Sequence, residues 1–312
     1  MTNGHPALAG LRIVFGGNVF GWTIDQDQSF AVLDAFYEAG GRMIDSAEGY
    51  SSWVPGNKGG ESETIIGAWL ESRGVRADMR IATKTGMGGP PGALAPEKVA
   101  AALEGSLERL RTDYVDLYYA HRDEPQTPID EVVEGFDALV KRGKARSLGA
   151  SNFTPERLTQ SLDAAAAKGL TAYSVLQPGY NLVWRGEFPP ELQRLAVARG
   201  LAVLPYYALA SGFLTGKYRS PDDLTGMRGG AARQFAENGW KALPVLDAVA
   251  REAGASSGAV ALAWLNAQPA IHAPVASGTS LPQVKELCAA ATLELPPEQL
   301  QRLTAVSVDA AA

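Results

Sequence analysis

Length, composition and charge restrict this protein to a few classes. Its 312 residues, 46% of them hydrophobic, can form one large α/β barrel or two smaller domains, and its net charge of −6 argues against nucleic acid or an anionic membrane as partner. No apolar run reaches the roughly 18 residues of a membrane span. No basic and apolar leader opens the chain, and Cys288 is its only cysteine. We expect a cytoplasmic protein without an internal disulfide.

Short apolar runs alternate with segments of helical period along the whole chain. Eight runs predict β-strands, at residues 11–15, 42–45, 80–84, 114–120, 145–150, 172–177, 201–206 and 271–275. In the segments between them, apolar residues recur every three to four positions, as at Val99, Leu103, Leu107 and Leu110. This spacing predicts amphipathic helices between the strands.

Helix boundaries carry their own signals. Pro96 and Pro155 indicate helix starts, with Thr154 as an N-cap, and four glycines indicate helix ends just before strands: Gly40, Gly143, Gly169 and Gly200. Strands joined to helices by such tight connections predict a (β/α)8 TIM barrel, formed by residues 1–312 as one domain. The rival fold is a doubly wound open sheet, which the lack of a G-x-G-x-x-G motif at the first helix disfavours.

Two connections are long and follow predicted strands, so they lie at the C-terminal face of the barrel. Residues 207–240 are rich in Gly, Arg and Ser, and a connection of this length is typical of a lid or a disordered segment. Residues 50–60 contain Trp53 and are rich in Gly and Ser. Long loops at this face are where barrel enzymes place their chemistry.

Three of the apolar runs end at an ionisable residue: Asp45, Lys84 and His121. Because the C-terminal ends of barrel strands converge, these side chains are expected to meet, together with Tyr50. The polar residues at other strand ends share this face, namely Asn152, Gln177, Tyr206 and Ser277. An acid, an amine, an imidazole and a phenol form a set that can move protons.

Each of the four has a physical role in such a set. A phenol has a pKa of about 10, and a nearby Lys84 ammonium is expected to lower the pKa of Tyr50. Asp45 would keep Lys84 charged and fixed, and His121 would orient a carbonyl or relay a proton. The expected product is a tuned general acid.

Five segments, in the right order, resemble motifs of the aldo-keto reductases: 40–50 with Asp45 and Tyr50, 81–84 with Lys84, 121–129 with His121, 143–153 with Asn152, and 212–218 with Lys217. The resemblance covers nearly the whole chain. It implies a catalytic tetrad of Asp45, Tyr50, Lys84 and His121, with Tyr50 as general acid. It also implies hydride transfer between a nicotinamide cofactor and a carbonyl or alcohol.

The resemblance implies a cofactor site as well. Ser151, Asn152 and Gln177 would hold the carboxamide, and Tyr206 would stack on the nicotinamide ring. The residues expected near the phosphates are Leu209, Gly212, Lys217, Ser277, Gly278, Thr279 and Gln283. Trp22, Trp53 and Tyr119 are candidate contacts to a small-molecule carbonyl or alcohol substrate, although Tyr119 can instead pack inside the barrel.

The chain departs from the family pattern at the adenosine end of this site. Gln283 and Leu287 stand where Arg and Asn are common, and Tyr207-Ala208 replaces the usual Ser-Pro. Hydroxyl groups and a helix N-terminus can still bind phosphate, so NADP(H) is expected ahead of NAD(H).

Two alternatives belong to other functional classes. The chain resembles the branch of the family that includes potassium-channel β-subunits, so a cofactor-binding regulatory subunit with slow turnover is the second hypothesis. No N-terminal segment for a channel partner is expected, which ranks it below the enzyme. A metal-dependent hydrolase is disfavoured because His5, His121 and His272 lack ligand spacing. No pattern indicates an oligomeric state.

Overall fold

The computed structural model describes residues 8–306, which contain one parallel sheet of eight strands in the order β7-β6-β5-β4-β3-β2-β1-β8. The strands are β1 Val14–Gly16, β2 Met43–Asp45, β3 Arg80–Thr85, β4 Leu117–Ala120, β5 Leu148–Ser151, β6 Val175–Gln177, β7 Ala202–Val203 and β8 Val275–Ala276. Backbone bonds from His272 N to Val203 O (2.8 Å) and from Val275 N to Pro205 O (2.9 Å) join the sheet's two ends. The predicted (β/α)8 barrel is confirmed. His5 lies outside the described residues.

Helices follow the strands as the periodicity predicts. They are α1 Gln26–Glu38, α2 Glu61–Arg73, α3 Pro96–Leu110, α4 Ile129–Lys141, α5 Pro155–Ala167, α6 Pro190–Ala198, α7 Gly226–Ala232, α8 Ala236–Ala253, α9 Ser257–Asn266, α10 Leu281–Ala290 and α11 Pro297–Val306. Thr154 caps α5 by accepting a bond from Arg157 N at 3.2 Å. The four glycines predicted at helix ends have φ between +62° and +88°, a conformation that favours glycine. Within residues 8–306, no helix combines the length and the apolar character needed to cross a bilayer.

The barrel interior is filled with side chains and is therefore not a channel. One buried cluster consists of residues that face inward from the strands or plug the barrel's lower end: Leu8, Leu11, Val14, Met43, Ala82, Leu117, Tyr119, Val175, Ala202, Leu204, Ala273 and Val275. A larger cluster fills the space between the strands and the helices. Because the interior is packed, a ligand can reach the inward-facing residues only where the strands end.

The segment 207–240 is structured, so the expectation of a disordered loop is wrong, whereas its role as a lid stays a prediction. It contains short 3-10 turns at Ala210–Thr215 and Pro221–Asp223, all of α7, and the start of α8. Phe213, Leu214 and Phe235 are buried, so the segment packs against the barrel. Its many glycines and serines hide this packing, because they break the regular spacing of apolar residues.

Candidate active site

Four residues from separate parts of the chain meet at the C-terminal end of the barrel. Asp45 ends β2, Lys84 lies in β3, His121 follows β4, and Tyr50 lies in the turn after β2. Lys84 Nζ donates to Asp45 Oδ1 at 2.5 Å, to Ser46 O at 2.6 Å and to Tyr50 Oη at 3.0 Å. All three ammonium protons therefore have acceptors, and the lysine is fixed between the carboxylate and the phenol.

The Asp45–Lys84 ion pair is fully buried, with both side chains at most 1% exposed. Gln177 Nε2 donates to the second carboxylate oxygen, Asp45 Oδ2, at 2.9 Å. Burial by itself lowers the pKa of Lys84, but Asp45 and Tyr50 together outweigh it, so the pKa is raised above the usual value. Lys84 therefore remains charged.

Tyr50 differs from the electrostatic expectation. Its ring is partly buried at the cavity floor, and this burial raises the pKa of the phenol, while Lys84 offsets only part of the effect. The net shift is upward, not downward as the sequence suggested. Because Lys84 donates to the phenol oxygen, the phenol's own proton is free to point toward a ligand.

His121 lies beside Tyr50, with 6.1 Å between the ring centroids. Burial, followed by the positive charges of Lys84 and Arg122, holds the pKa of His121 well below its usual value. The imidazole is therefore neutral at pH 7 and can donate one hydrogen bond without carrying a charge.

A hydrogen-bonded network extends the site across β4 to β7. Asn152 has φ of +56°, and its Nδ2 donates to His121 O at 2.8 Å. Tyr206 Oη donates to Asn152 Oδ1 at 2.8 Å, and Ser151 Oγ donates to Gln177 O at 2.8 Å. Burial raises the pKa of Tyr206 to about 12, so its hydroxyl remains a donor.

These residues form one wall of a cavity of about 830 Å³ at the barrel mouth. Thirteen of the residues proposed from the sequence line it: Trp22, Tyr50, Trp53, His121, Asn152, Gln177, Tyr206, Leu209, Gly212, Lys217, Ser277, Thr279 and Gln283. Asp45, Lys84 and Ser151 are buried and do not line the cavity. Gly278 is buried against Gln283 and Val284 and is also outside the lining.

Tyr119 belongs to the barrel interior, and its predicted substrate contact is not met by this structure. It is fully buried, it does not line the cavity, and its ring contacts Gly149 so closely that a Cβ there would lie 2.4 Å away. The residue faces inward like His121, as the alternation predicted, but one layer deeper in the barrel.

The cavity is also lined by a cation, Lys217, and by the hydroxyl groups of Ser277 and Thr279, which are groups that can bind phosphate. Gly212 (φ of +87°) follows β7, and its Cβ position lies 2.8 Å from Lys217 Nζ, so the absent side chain leaves this cation accessible. Ser277 Oγ donates to Gly16 O at 2.7 Å or Asn18 Oδ1 at 2.6 Å, which fixes the end of β8. The cavity volume lies in the upper part of the roughly 300–1,000 Å³ range of cofactor pockets.

Several lining residues escaped the sequence analysis. They are Gly16, Asn18, Met87, Ser211, Thr215, Met227, Arg228, Gly258 and Glu286, among others. Met227 and Arg228 lie on α7, inside the segment that was predicted as a loop. The Gly-Arg-rich composition of that segment was the available signal, but composition does not indicate which side chains turn inward.

Comparison with known proteins agrees with this architecture. A sequence model of the aldo/keto reductase family matches residues 12–308. The chain belongs to this family. Aldo-keto reductase str7 of Strobilurus tenacellus is 33% identical over 90% of this chain and 81% of its own length.

Two further relatives show the functional range of similar aldo/keto reductases. Aryl-alcohol dehydrogenase [NADP(+)] of Phanerodontia chrysosporium is 30% identical over 90% of this chain and 76% of its own length. A probable voltage-gated potassium channel subunit beta of Oryza sativa subsp. japonica is 30% identical over 97% of this chain and 94% of its own length. Aldo/keto reductases use nicotinamide cofactors, and the match to their family model covers nearly the whole of this chain.

Proposed function

We propose that this protein reduces aldehydes or ketones to alcohols, or catalyses the reverse reaction, by NAD(P)(H)-dependent hydride transfer with Tyr50 as general acid. The observation that carries the proposal is the bond from Lys84 to the phenol oxygen of Tyr50 at the cavity floor. This bond leaves the phenol proton available to a substrate oxygen. It also places a positive charge where it stabilises the phenolate left after proton transfer.

The other members of the tetrad support this step. Asp45 fixes Lys84 and keeps it charged, and neutral His121 donates a hydrogen bond that orients the substrate carbonyl. A bound nicotinamide dinucleotide would supply the hydride. The protein's own contribution is to position the carbonyl and to deliver the proton.

For the cofactor, we propose that Ser151, Asn152 and Gln177 hold the carboxamide and that Tyr206 stacks on the nicotinamide. The ring of Tyr206 packs against Trp184 and Tyr207, with centroids 6.2 and 5.2 Å away, which supports a fixed stacking surface. The hydrogen bond from its hydroxyl to Asn152 fixes this ring relative to the residues that we propose hold the carboxamide.

The phosphates would meet Lys217 and the backbone near Leu209 and Gly212. The adenosine end would meet Ser277, Gly278, Thr279 and Gln283. NADP(H) is proposed ahead of NAD(H), because hydroxyl groups and the N-terminus of α10 lie at that end, and one relative is named as NADP(+)-dependent. We also propose that residues 1–312 act as a single cytoplasmic catalytic domain, with Trp22 and Trp53 contacting a small-molecule substrate.

The test is NADPH oxidation with a panel of aldehydes and ketones, comparing wild type with Tyr50→Phe. We expect the variant to lose at least about a hundredfold in kcat, the usual scale for general-acid catalysis. Tyr37→Phe is the matched control, because its hydroxyl bonds to Asp78 on the outer surface. Equal rates in wild type and Tyr50→Phe would exclude the role given to Tyr50.

The potassium-channel relative favours a second candidate, a regulatory subunit that binds cofactor and turns it over slowly. Stopped-flow measurement separates the two. A subunit of this kind would turn over far more slowly than the roughly 1–1,000 per second typical of enzymes with every carbonyl in the panel, whereas the proposed enzyme reaches that range with at least one.

A further inference from the structure

Tyr119 is a fully buried tyrosine near the C-terminal end of β4, and the proposed reaction does not use it. Its hydroxyl has no hydrogen-bond partner in acceptable geometry among residues 8–306. Gln177 is nevertheless close enough to oppose part of the rise that burial causes in the pKa of this phenol. A hydroxyl without a hydrogen bond stabilises nothing by itself, so any contribution of Tyr119 to the site comes from its ring.

The ring lies on the interior side of the Lys84 ammonium. Tyr119 and Lys84 are Cα partners in the ladder between β4 and β3. Lys84 Nζ lies 5.7 Å from the centroid of the Tyr119 ring, within the roughly 6 Å over which an aromatic face attracts a cation. The same atom lies 4.7 Å from the centroid of the Tyr50 ring. The ammonium is therefore close to two aromatic rings, Tyr50 at the cavity and Tyr119 inside the barrel.

A glycine on the next strand makes room for the Tyr119 ring. Gly149 is the partner of Tyr119 in the ladder between β4 and β5. A Cβ at this position would lie 2.4 Å from two atoms of the ring, so the ring rests directly on the Gly149 backbone. Packing against β5 therefore fixes the ring beside Lys84.

An aromatic face is valuable here because Lys84 has no water and no unused proton. Its side chain is 0% exposed, and burial alone would lower its pKa. Its three ammonium protons already bond to Asp45, Ser46 and Tyr50. The face of a ring stabilises the charged form without taking a proton, and this attraction is strongest where the cation is desolvated.

We propose that Tyr119 is a positioning residue whose ring holds the charged Lys84 ammonium in place against Tyr50. This inference rests on the function proposed above, because Lys84 stabilises the phenolate that Tyr50 becomes. The titratable groups around the ammonium are Asp45 and Tyr50, from β2 and the turn after it, and Tyr119 and His121, from β4 and the position that follows it. Burial raises the pKa of Tyr119 well above its usual value, so its phenol stays neutral and acts through the ring.

The kinetic experiment measures kcat for NADPH-dependent carbonyl reduction against pH in wild type, Tyr119→Leu and Tyr119→Phe. Leucine removes the ring, and phenylalanine keeps it. We expect Tyr119→Leu to lower kcat roughly two- to thirtyfold with little change in KM, the scale of one cation–aromatic contact. The basic limb of its pH profile should move down by about 0.4–1.5 pH units, because Lys84 loses its proton more easily. Tyr119→Phe should resemble wild type.

Tyr118→Leu is the matched control. Tyr118 is equally buried on the opposite side of β4, where it packs against Phe136 and not against Lys84. Its replacement should lower stability but leave the pH profile unchanged. A trifluorinated phenylalanine at position 119 keeps the size of the ring and weakens the negative potential of its face. It should move the basic limb in the same direction as leucine, and it provides the test where Tyr119→Leu does not fold.

Two kinetic results would overturn the proposal. Equal losses in Tyr119→Phe and Tyr119→Leu would assign the effect to the hydroxyl. A pH profile and a kcat that stay at the wild-type values in the variants that lose the ring or its negative face would show that Lys84 does not depend on it.

An NMR measurement separates this inference from the proposed chemistry, because it needs no turnover. Ring currents shift the signals of the Lys84 side-chain end in protein with isotope-labelled lysine, and Lys84→Met identifies these signals by their loss. If no carbonyl is reduced, yet the signals move in Tyr119→Leu and not in Tyr119→Phe or Tyr118→Leu, the positioning role stands while the proposed activity fails. If carbonyls are reduced and the signals are the same in all these proteins, the role given to Tyr119 is wrong while the activity stands.

Discussion

Gln177 donates its side-chain amide proton to Asp45 Oδ2 across the barrel mouth, at 2.9 Å and 132 residues away in the chain. The sequence assigned Gln177 to the cofactor alone. In the structure it also holds the carboxylate that fixes Lys84, so one side chain links the cavity surface to the buried ion pair.

Replacing Gln177 should therefore affect both stability and catalysis. Gln177→Leu leaves one oxygen of a buried carboxylate without its donor, and we expect a loss of about 1–3 kcal/mol in the free energy of unfolding. We also expect a lower kcat, because Asp45 and Lys84 are less well held. Urea unfolding and NADPH-oxidation assays measure the two effects. Gln234→Leu, at an exposed helical position, is the control and should change neither.

The buried Asp45–Lys84 ion pair predicts how the free energy of unfolding changes when one or both of its charges are removed. Lys84→Met leaves Asp45 as an unpaired buried charge and should cost about 3–5 kcal/mol of stability. The double variant Lys84→Met/Asp45→Leu removes both charges, so we expect it to be more stable than Lys84→Met alone, although equally inactive. Chemical denaturation of the three proteins tests this. A double variant that is less stable than the single one would contradict the assigned coupling.

The sequence predicted that Asp45, Tyr50, Lys84 and His121 meet at one end of the barrel, because the signals for strands and helices are local. Strand ends, the N-cap Thr154 and the glycines at helix ends depend on neighbouring residues, and eight strand–helix units determine which ends converge. The sequence did not predict the direction of the Tyr50 pKa shift, because that direction depends on burial by segments that are distant in the chain. Tyr119 shows the same limit: alternation gives the side of the strand that faces inward but not the depth in the barrel. Arg228 escaped detection because glycines interrupt the periodicity of α7.

His121 should make stability depend on pH on the acid side of neutrality. Its folded-state pKa is held well below the unfolded value of about 6.5, so below that pH the unfolded chain binds a proton that the folded one does not. His121 therefore causes no loss of folding stability above pH 6.5. As the pH falls from 6.5 toward the folded-state pKa, the free energy of unfolding decreases. The slope it adds is at most about 1.4 kcal/mol per pH unit.

Urea unfolding of wild type and His121→Gln at several pH values between 5 and 7 measures this contribution. We expect the stability of wild type to fall more steeply than that of the variant as the pH decreases. Parallel slopes for the two proteins would show that His121 is protonated as readily in the folded state as in the unfolded chain.

Glu286 should oppose the 2′-phosphate of NADP(H). It lines the cavity from α10 near Gln283 and accepts a hydrogen bond from Ser256 Oγ, and no Lys or Arg side chain from the described part of α10 joins it in the lining. Glu286→Gln removes a negative charge, and we expect NADPH to bind roughly fivefold more tightly, about 1 kcal/mol for two charges in a watery setting. Fluorescence titration with NADPH and NADH tests this, with NADH as the matched ligand that lacks the phosphate. An equal change for both dinucleotides would place Glu286 against the part that they share.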